Sequence, residues 1–156
     1  MSGCRIVPLT EHADQIPALA RLHQRQWQDV HPDMDVAAWE QEFAAHCQGG
    51  LPATLLALDN DGHLLGSASL VPDDMEGAQP FSPWLANVLV LPAARGRGTG
   101  AALIQAIADL ALAHGHPTLY LFTTDRQDFY TERGWMPLLS CVHHGQPVLI
   151  MRRNLT

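Results

Sequence analysis

One stretch of the chain combines residue types and spacing that can do chemistry: Arg95-Gly96-Arg97-Gly98-Thr99-Gly100, set between apolar Leu85 to Leu91 and a segment of helical apolar periodicity. A strand that runs into a glycine-rich loop and opens a helix is a device for holding phosphate. Glycines let the backbone come close, successive N–H groups converge, and the helix N-terminus adds about half a positive charge. Arg95 and Arg97 add guanidinium groups that a tight turn alone does not need. The bare alternative is a glycine turn without a ligand. A G-x-x-x-x-G-K-[ST] loop is excluded, because all 9 basic residues are arginine. Gly96-Arg97-Gly98-Thr99-Gly100-Ala101 fits G-x-G-x-x-[GA] as letters, but that pattern follows the first strand of a larger fold, and here only the last third of the chain remains.

Other candidates are weaker. His143-His144 and His114-x-His116 lack further ligands at useful spacing, so they read as a turn and a helix end, and no metal site is expected. Cys4, Cys47 and Cys141 are odd in number and contain no C-x-x-C, which supports neither a disulfide framework nor a zinc ribbon. Charge is unevenly distributed. Residues 1–94 carry a net −9 and residues 95–156 a net +2, together the −7 of the whole chain. One region is therefore suited to an anion and another to a cation. A general nucleic-acid binder would need a basic face and is not expected. No apolar run approaches the roughly 20 residues that span a bilayer, and Met1 to Arg5 lacks the apolar core of a signal peptide. A soluble cytoplasmic protein is the expectation.

The elements that must position the loop can be read from periodicity. With 156 residues, 47% of them apolar and 16% charged, the chain suits a single domain over 1–156 with a real core. Ile16, Leu19, His23, Trp27 and Val30 predict a first helix, with Asp14 as its cap and Pro17 in its first turn. His31-Pro32 breaks it. Asp35 starts a second helix with Val36, Trp39, Phe43 and Cys47 on one stripe, ending at Gly49-Gly50. Ala53 to Leu58 and His63 to Val71 form a hairpin about the turn Asp59-Asn60-Asp61-Gly62. Pro72 to Pro83 is a polar loop carrying Asp73, Asp74 and Glu76. Leu85 to Leu91 is apolar enough for a central strand. After the glycine loop come a helix through Leu103, Ile104, Ile107 and Leu110, a strand Thr118 to Phe122, and a short helix Asp125 to Arg133. A hairpin of Met136 to Val142 and Pro147 to Arg152 ends the chain. The fold class is α/β (α+β): a mixed, mostly antiparallel sheet of six to seven strands flanked by about four helices.

Within that order, Arg95-x-x-Gly98-x-Gly100 resembles the [QR]-x-x-G-x-[GA] loop of the Gcn5-related N-acetyltransferases (GNAT), which grips the pyrophosphate of coenzyme A. Phe129-Tyr130-Thr131-Glu132-Arg133-Gly134-Trp135 is similar to the F-Y-x-x-x-G-[FW] segment of the same superfamily. The two motifs are correctly separated, and the resemblance is specific over Leu85 to Leu138. It implies an acetyl-CoA-binding core over 85–138 and a helical acceptor-side segment over 1–50.

The resemblance further implies an acetyl-CoA-dependent N-acetyltransferase, with acetyl-CoA as cosubstrate. The main chain of Val88, Leu89 and Val90 would pair with the pantetheine amides, and a backbone N–H there would polarise the thioester carbonyl. Arg95, Gly96, Arg97, Gly98, Thr99, Gly100 and Ala101 would bind the pyrophosphate. Tyr130 would be the general acid for the leaving thiolate; a phenol of reference pKa about 10 can protonate a thiolate whose acid has a pKa of about 8.5. Relatives often place a carboxylate base on the strand before the loop, but Trp84-Leu85-Ala86-Asn87 has none, which leaves Asp73, Asp74 or Glu76 as candidate bases. Thr123 stands where relatives often carry a cofactor-contacting asparagine. Trp27, Trp39 and Trp84 are expected to pack the core or line the acceptor groove. The excess acid lies where the family walls its acceptor site, so a cationic amine, small or at a peptide N-terminus, is the expected acceptor. A homodimer is a candidate, since dimers are common in the family. The alternative is a non-catalytic coenzyme-A-binding sensor of the same fold; a nucleotide-dependent oxidoreductase is a distant third.

Overall fold

Why each segment takes its form is clearest at the element ends. The computed structural model describes residues 4–74 and 81–156. Helix α1 (Ile16–Trp27) begins at Gln15 without a side-chain cap. Asp14, the expected cap, instead lies in a 3-10 turn, Ala13–Gln15, that leads into the helix. Helix α2 (Val36–Ala45) is capped as its sequence predicts, Asp35 accepting from the Ala38 N–H at 2.8 Å. Helix α3 (Thr99–Ala113) starts at Gly98, and helix α4 (Gln127–Thr131) is a single short turn of helix.

Seven strands form one sheet: β1 (Arg5–Pro8), β2 (Ala53–Leu58), β3 (Leu64–Val71), β4 (Trp84–Val90), β5 (Thr118–Thr123), β6 (Met136–His143) and β7 (Gln146–Asn154). Their spatial order is β1-β2-β3-β4-β5-β7-β6, antiparallel except for the β4–β5 pair. The segment-by-segment reading missed β1, a four-residue strand too short to show alternation. β4 lies at the centre, as its apolar sequence predicts.

Alternation along β2 and β3 assigns the two faces. Ala57, Ala68 and Leu70 pack with Leu103, Ile104, Ile107 and Ala111 of α3. Leu56 and Leu58 point the other way, against Leu19 and Ala20 of α1 and Trp39 and Phe43 of α2. Each of these fully buried leucines contributes about 1.5–3 kcal/mol of transfer free energy. The sheet is thus covered by α3 on one face and by α1 and α2 on the other. No helix among the described residues is long and apolar enough to cross a membrane.

Candidate active site

The centre of the sheet is interrupted on purpose-built terms of local geometry. Asn87 has φ of 55°, and the β3–β4 register shifts between Ser67, paired with Leu89, and Ser69, paired with Ala86. This is a β-bulge, which bends a strand and ends regular pairing. On its other side β4 pairs with β5 only at Trp84 and Tyr120. Past that point the main chain of β4 from Asn87 to Val90 runs beside cavities instead of a neighbouring strand.

A cavity of about 680 Å³ runs from Val88, Leu89 and Val90 to the opening of α3 and is walled across by α4. Gly96 and Gly98 adopt φ of 78° and 80°, the left-handed region that favours glycine. Gly100 serves differently: a Cβ there would lie 3.4 Å from Val90 Cγ2. The first helical hydrogen bond of α3 is Ala102 N–H to Gly98 O at 2.9 Å. The N–H groups of Thr99, Gly100 and Ala101 therefore belong to the helix's open first turn, where an anion is stabilised. Arg95 lines the groove and donates from Nε to Val90 O at 3.1 Å, tying the loop to β4. Arg97 is exposed and does not line it.

Two charged groove residues escaped the sequence reading. Arg126 and Arg133 both line the cavity, with guanidinium carbons 4.8 and 3.7 Å from the Phe129 ring centroid. Arg133 also donates to Phe129 O at 2.8 Å. Their seven-residue spacing across a helical segment was the available signal, since it puts both on one face. The Phe129 ring is the platform on which they rest.

Tyr130 stands where this groove meets a second cavity of about 330 Å³, and lines both. Its carbonyl accepts from the N–H groups of Arg133 and Trp135 at 2.9 and 3.1 Å, and its ring meets Trp135 edge-on at 5.9 Å. Burial pushes the phenol's pKa up, opposed by the Arg126 charge, so the hydroxyl keeps its proton at neutral pH. Val88 and Arg126 are likewise common to the two cavities. Thr123 is buried and lines the second cavity instead of the glycine-loop groove; its Oγ1 accepts from the Arg126 N–H at 3.0 Å, steadying the start of α4.

A third cavity, about 380 Å³, continues from the second through His31, Asp74 and Asn87, which line both. Its remaining wall includes Trp39, Glu42 and Asp73. Asp74 keeps some exposed surface, yet burial of its carboxyl, with the Glu42 charge facing the same space, pushes its pKa up to about 7. Glu76 lies outside the described residues. Glu42 was not singled out from sequence, though its i, i+4 relation to His46 was visible. Trp27 and Trp39 line the cavities, whereas Trp84 is core, its Nε1 donating to Phe81 O at 2.9 Å.

The histidines separate into different settings. His144, at the β6–β7 turn, sits 4.2 Å from the His143 ring and 5.2 Å from His31, two residues that line the second cavity. His23 is fully buried under the bulge among Trp27, Trp39 and Phe43. Its Nδ1 donates to Leu19 O at 2.9 Å, while Nε2 approaches the Asn87 main chain without a well-formed hydrogen bond. Desolvation lowers its pKa to about 4, so it is neutral. Asp59, Asp61 and His63 bring ligand-type atoms within 4.8 Å of one another at the β2–β3 turn, but that grouping is explained by Asp59 Oδ1 accepting from the Asp61 and His63 N–H groups, both at 2.8 Å.

Comparison with solved structures places the same architecture in known proteins. A GCN5-related N-acetyltransferase from Kribbella flavida superposes with a TM-score of 0.73 at 21% identity, covering 97% of this chain and 98% of that one. A spermidine N-acetyltransferase chimera from Vibrio cholerae gives 0.76 at 16% identity, covering 99% and 96%. A Bacillus anthracis acetyltransferase solved with acetyl coenzyme A gives 0.61 at 16% identity, covering 72% and 67%. No curated protein matches by sequence. The acetyltransferase (GNAT) family model matches residues 16–135, most of the chain and both motif segments. With its bulged central strand, split sheet and glycine-loop groove, the chain belongs to the GNAT acetyltransferase family.

Proposed function

We propose that the protein is an N-acetyltransferase that moves the acetyl group of acetyl-CoA directly to a primary amine on a cationic small molecule or peptide. The observation that carries this reading is continuity. An anion-suited groove, a protonated phenol at the junction and an acid-walled cavity share lining residues end to end. Residues 85–138 supply the cofactor side and residues 1–50, with the loop after β3, wall the acceptor side. The open first turn of α3 and Arg95 hold the pyrophosphate, and Arg126 and Arg133 add positive charge from α4. The pantetheine lies along Val88 to Val90, with a main-chain N–H of that strand polarising the thioester carbonyl.

The acceptor enters from the acidic side as an ammonium, since alkyl amines have pKa values of about 10.4. Asp74 takes one proton, directly or through water, and the freed nitrogen attacks the carbonyl carbon. The C–N bond forms, and the C–S bond breaks as the tetrahedral intermediate collapses. Tyr130 gives its proton to the departing thiolate and regains one from the nitrogen, which must shed it to become an amide. The sum is ammonium plus thioester going to amide, thiol and one proton. Asp73 borders the same cavity and is the alternative base. Mixing the protein with acetyl-CoA and a panel of primary amines, with free-thiol release as readout, tests the proposal. Cationic amines should release thiol and neutral isosteres should not. Calorimetric binding of coenzyme A with no release from any amine would leave a binding module in place of an enzyme.

A further inference from the structure

A polar chain crosses the otherwise apolar layer between the sheet and α2. Ser69 and Thr54 are directly paired across β3 and β2, and both are buried. Their hydroxyl oxygens lie 2.8 Å apart, Thr54 Oγ1 is 2.7 Å from His46 Nδ1, and His46 Nε2 is 3.0 Å from Glu42 Oε2. The carboxylate can only accept, so Nε2–H donates to it. With one proton on the ring, Nδ1 accepts from Thr54, and Thr54 accepts from Ser69. Every bond in the chain then points the same way and delivers its polarisation to one end, Glu42. That end is half-exposed and faces the cavity shared with Asp74.

We propose that Glu42, held by the Ser69–Thr54–His46 chain, is a positioning residue for the proton transfer: it holds a fixed negative charge opposite Asp74, so that Asp74 is the carboxyl that gains and loses the proton. This rests on the reading of Asp74 as the base. Two carboxylates around one desolvated space do not ionise equally, and the better hydrogen-bonded one keeps its charge. The His46 hydrogen bond lowers the Glu42 pKa, and burial together with Glu42 raises that of Asp74. Among the described residues, the titratable and charged groups lining the two cavities that Asp74 borders are Glu42 from α2, Asp73 from its own loop and His31 from the α1–α2 connection, with Arg126 and Tyr130 of the α4 region and His143 of β6 across the second cavity. A base whose conjugate acid has a pKa near 7 is a far stronger proton acceptor than an ordinary carboxylate, yet is half ionised at pH 7 and mostly ionised above it.

The test titrates Asp74 itself in the full chain by ¹³C carboxyl NMR, with its signal assigned by its loss in Asp74→Asn. The acid limb of kcat/KM is measured in parallel on an amine turned over in the panel. In the wild type both should report a pKa near 7. Glu42→Gln should move both down by at least about one unit, a tenfold change in the proton affinity of Asp74. Glu42→Asp should restore most of the shift, and Thr54→Val should produce a smaller one in the same direction. An Asp74 titration unmoved by Glu42→Gln overturns the inference while leaving Asp74 as a base. A titration that moves while the acid limb stays put overturns Asp74 as the base, and the role of Glu42 with it.

Discussion

The two halves of the site are built on opposite plans. On the proposed cofactor side the groups are mainly main-chain N–H groups at the opening of α3 and along β4, in a loop whose course depends on the left-handed glycines Gly96 and Gly98. On the proposed acceptor side they are side chains, Glu42 and Asp74 with His23 and His46 behind them, drawn from α1, α2 and the chain just after β3. The contrast teaches where substitutions will act. The first half, its arginines apart, is sensitive chiefly to backbone strain; the second depends on the charge and burial of individual groups.

Tyr130 stands at the boundary, and removing its hydroxyl is the strongest way to break the division. Tyr130→Phe should lower kcat by about 10²-fold or more while acetyl-CoA affinity changes little, because positioned general acids contribute roughly 10²–10⁴. Single-turnover kinetics beside calorimetry would show it, and an equal fall in affinity would move Tyr130 wholly to the binding side.

Next in size is the acid sensitivity of the acceptor half. The folded-state pKa of His23 is depressed to about 4 from 6.5, so its contribution is full above the unfolded value and is lost as pH falls through the folded one. Between pH 7 and 4.5 this amounts to on the order of 2 kcal/mol. Urea unfolding at both pH values should show His23→Leu losing less stability on acidification than the wild type. A parallel loss would mean that other groups govern acid unfolding.

The smallest effect probes the main-chain half. A Cβ at Gly98 would meet nothing within 4 Å, so Gly98→Val acts through its left-handed φ alone. That conformation costs a branched residue about 1–2 kcal/mol, and coenzyme A affinity should weaken about tenfold. Turnover at saturating acetyl-CoA should stay close to wild type. Gly100→Ala, where only a mild contact with Val90 arises, should weaken binding less.

Legibility followed the same division. The glycine loop, the central strand before it and the place of Tyr130 beside the groove could be read from letters, because a left-handed glycine turn opening a helix needs particular residue types at particular positions. The bulge at Asn87 could not, since asparagine in a strand has no unique conformation. Glu42 was hidden because an acid on an amphipathic helix usually faces water; only its meeting with Asp74 makes it chemical. Arg126 and Arg133 escaped because their role depends on the Phe129 ring beneath them.

Local sequence thus determined what local forces can decide: the helical and strand periods, the α2 cap at Asp35, and the glycines that open α3. Tertiary packing decided the rest. It ended the β4–β5 pairing after one residue pair, joined three cavities through shared walls, and ran a hydrogen-bonded chain from Ser69 to Glu42. The reason is physical. Backbone conformation is set by neighbours in the chain, whereas a carboxyl's proton affinity is set by whichever distant groups share its desolvated space.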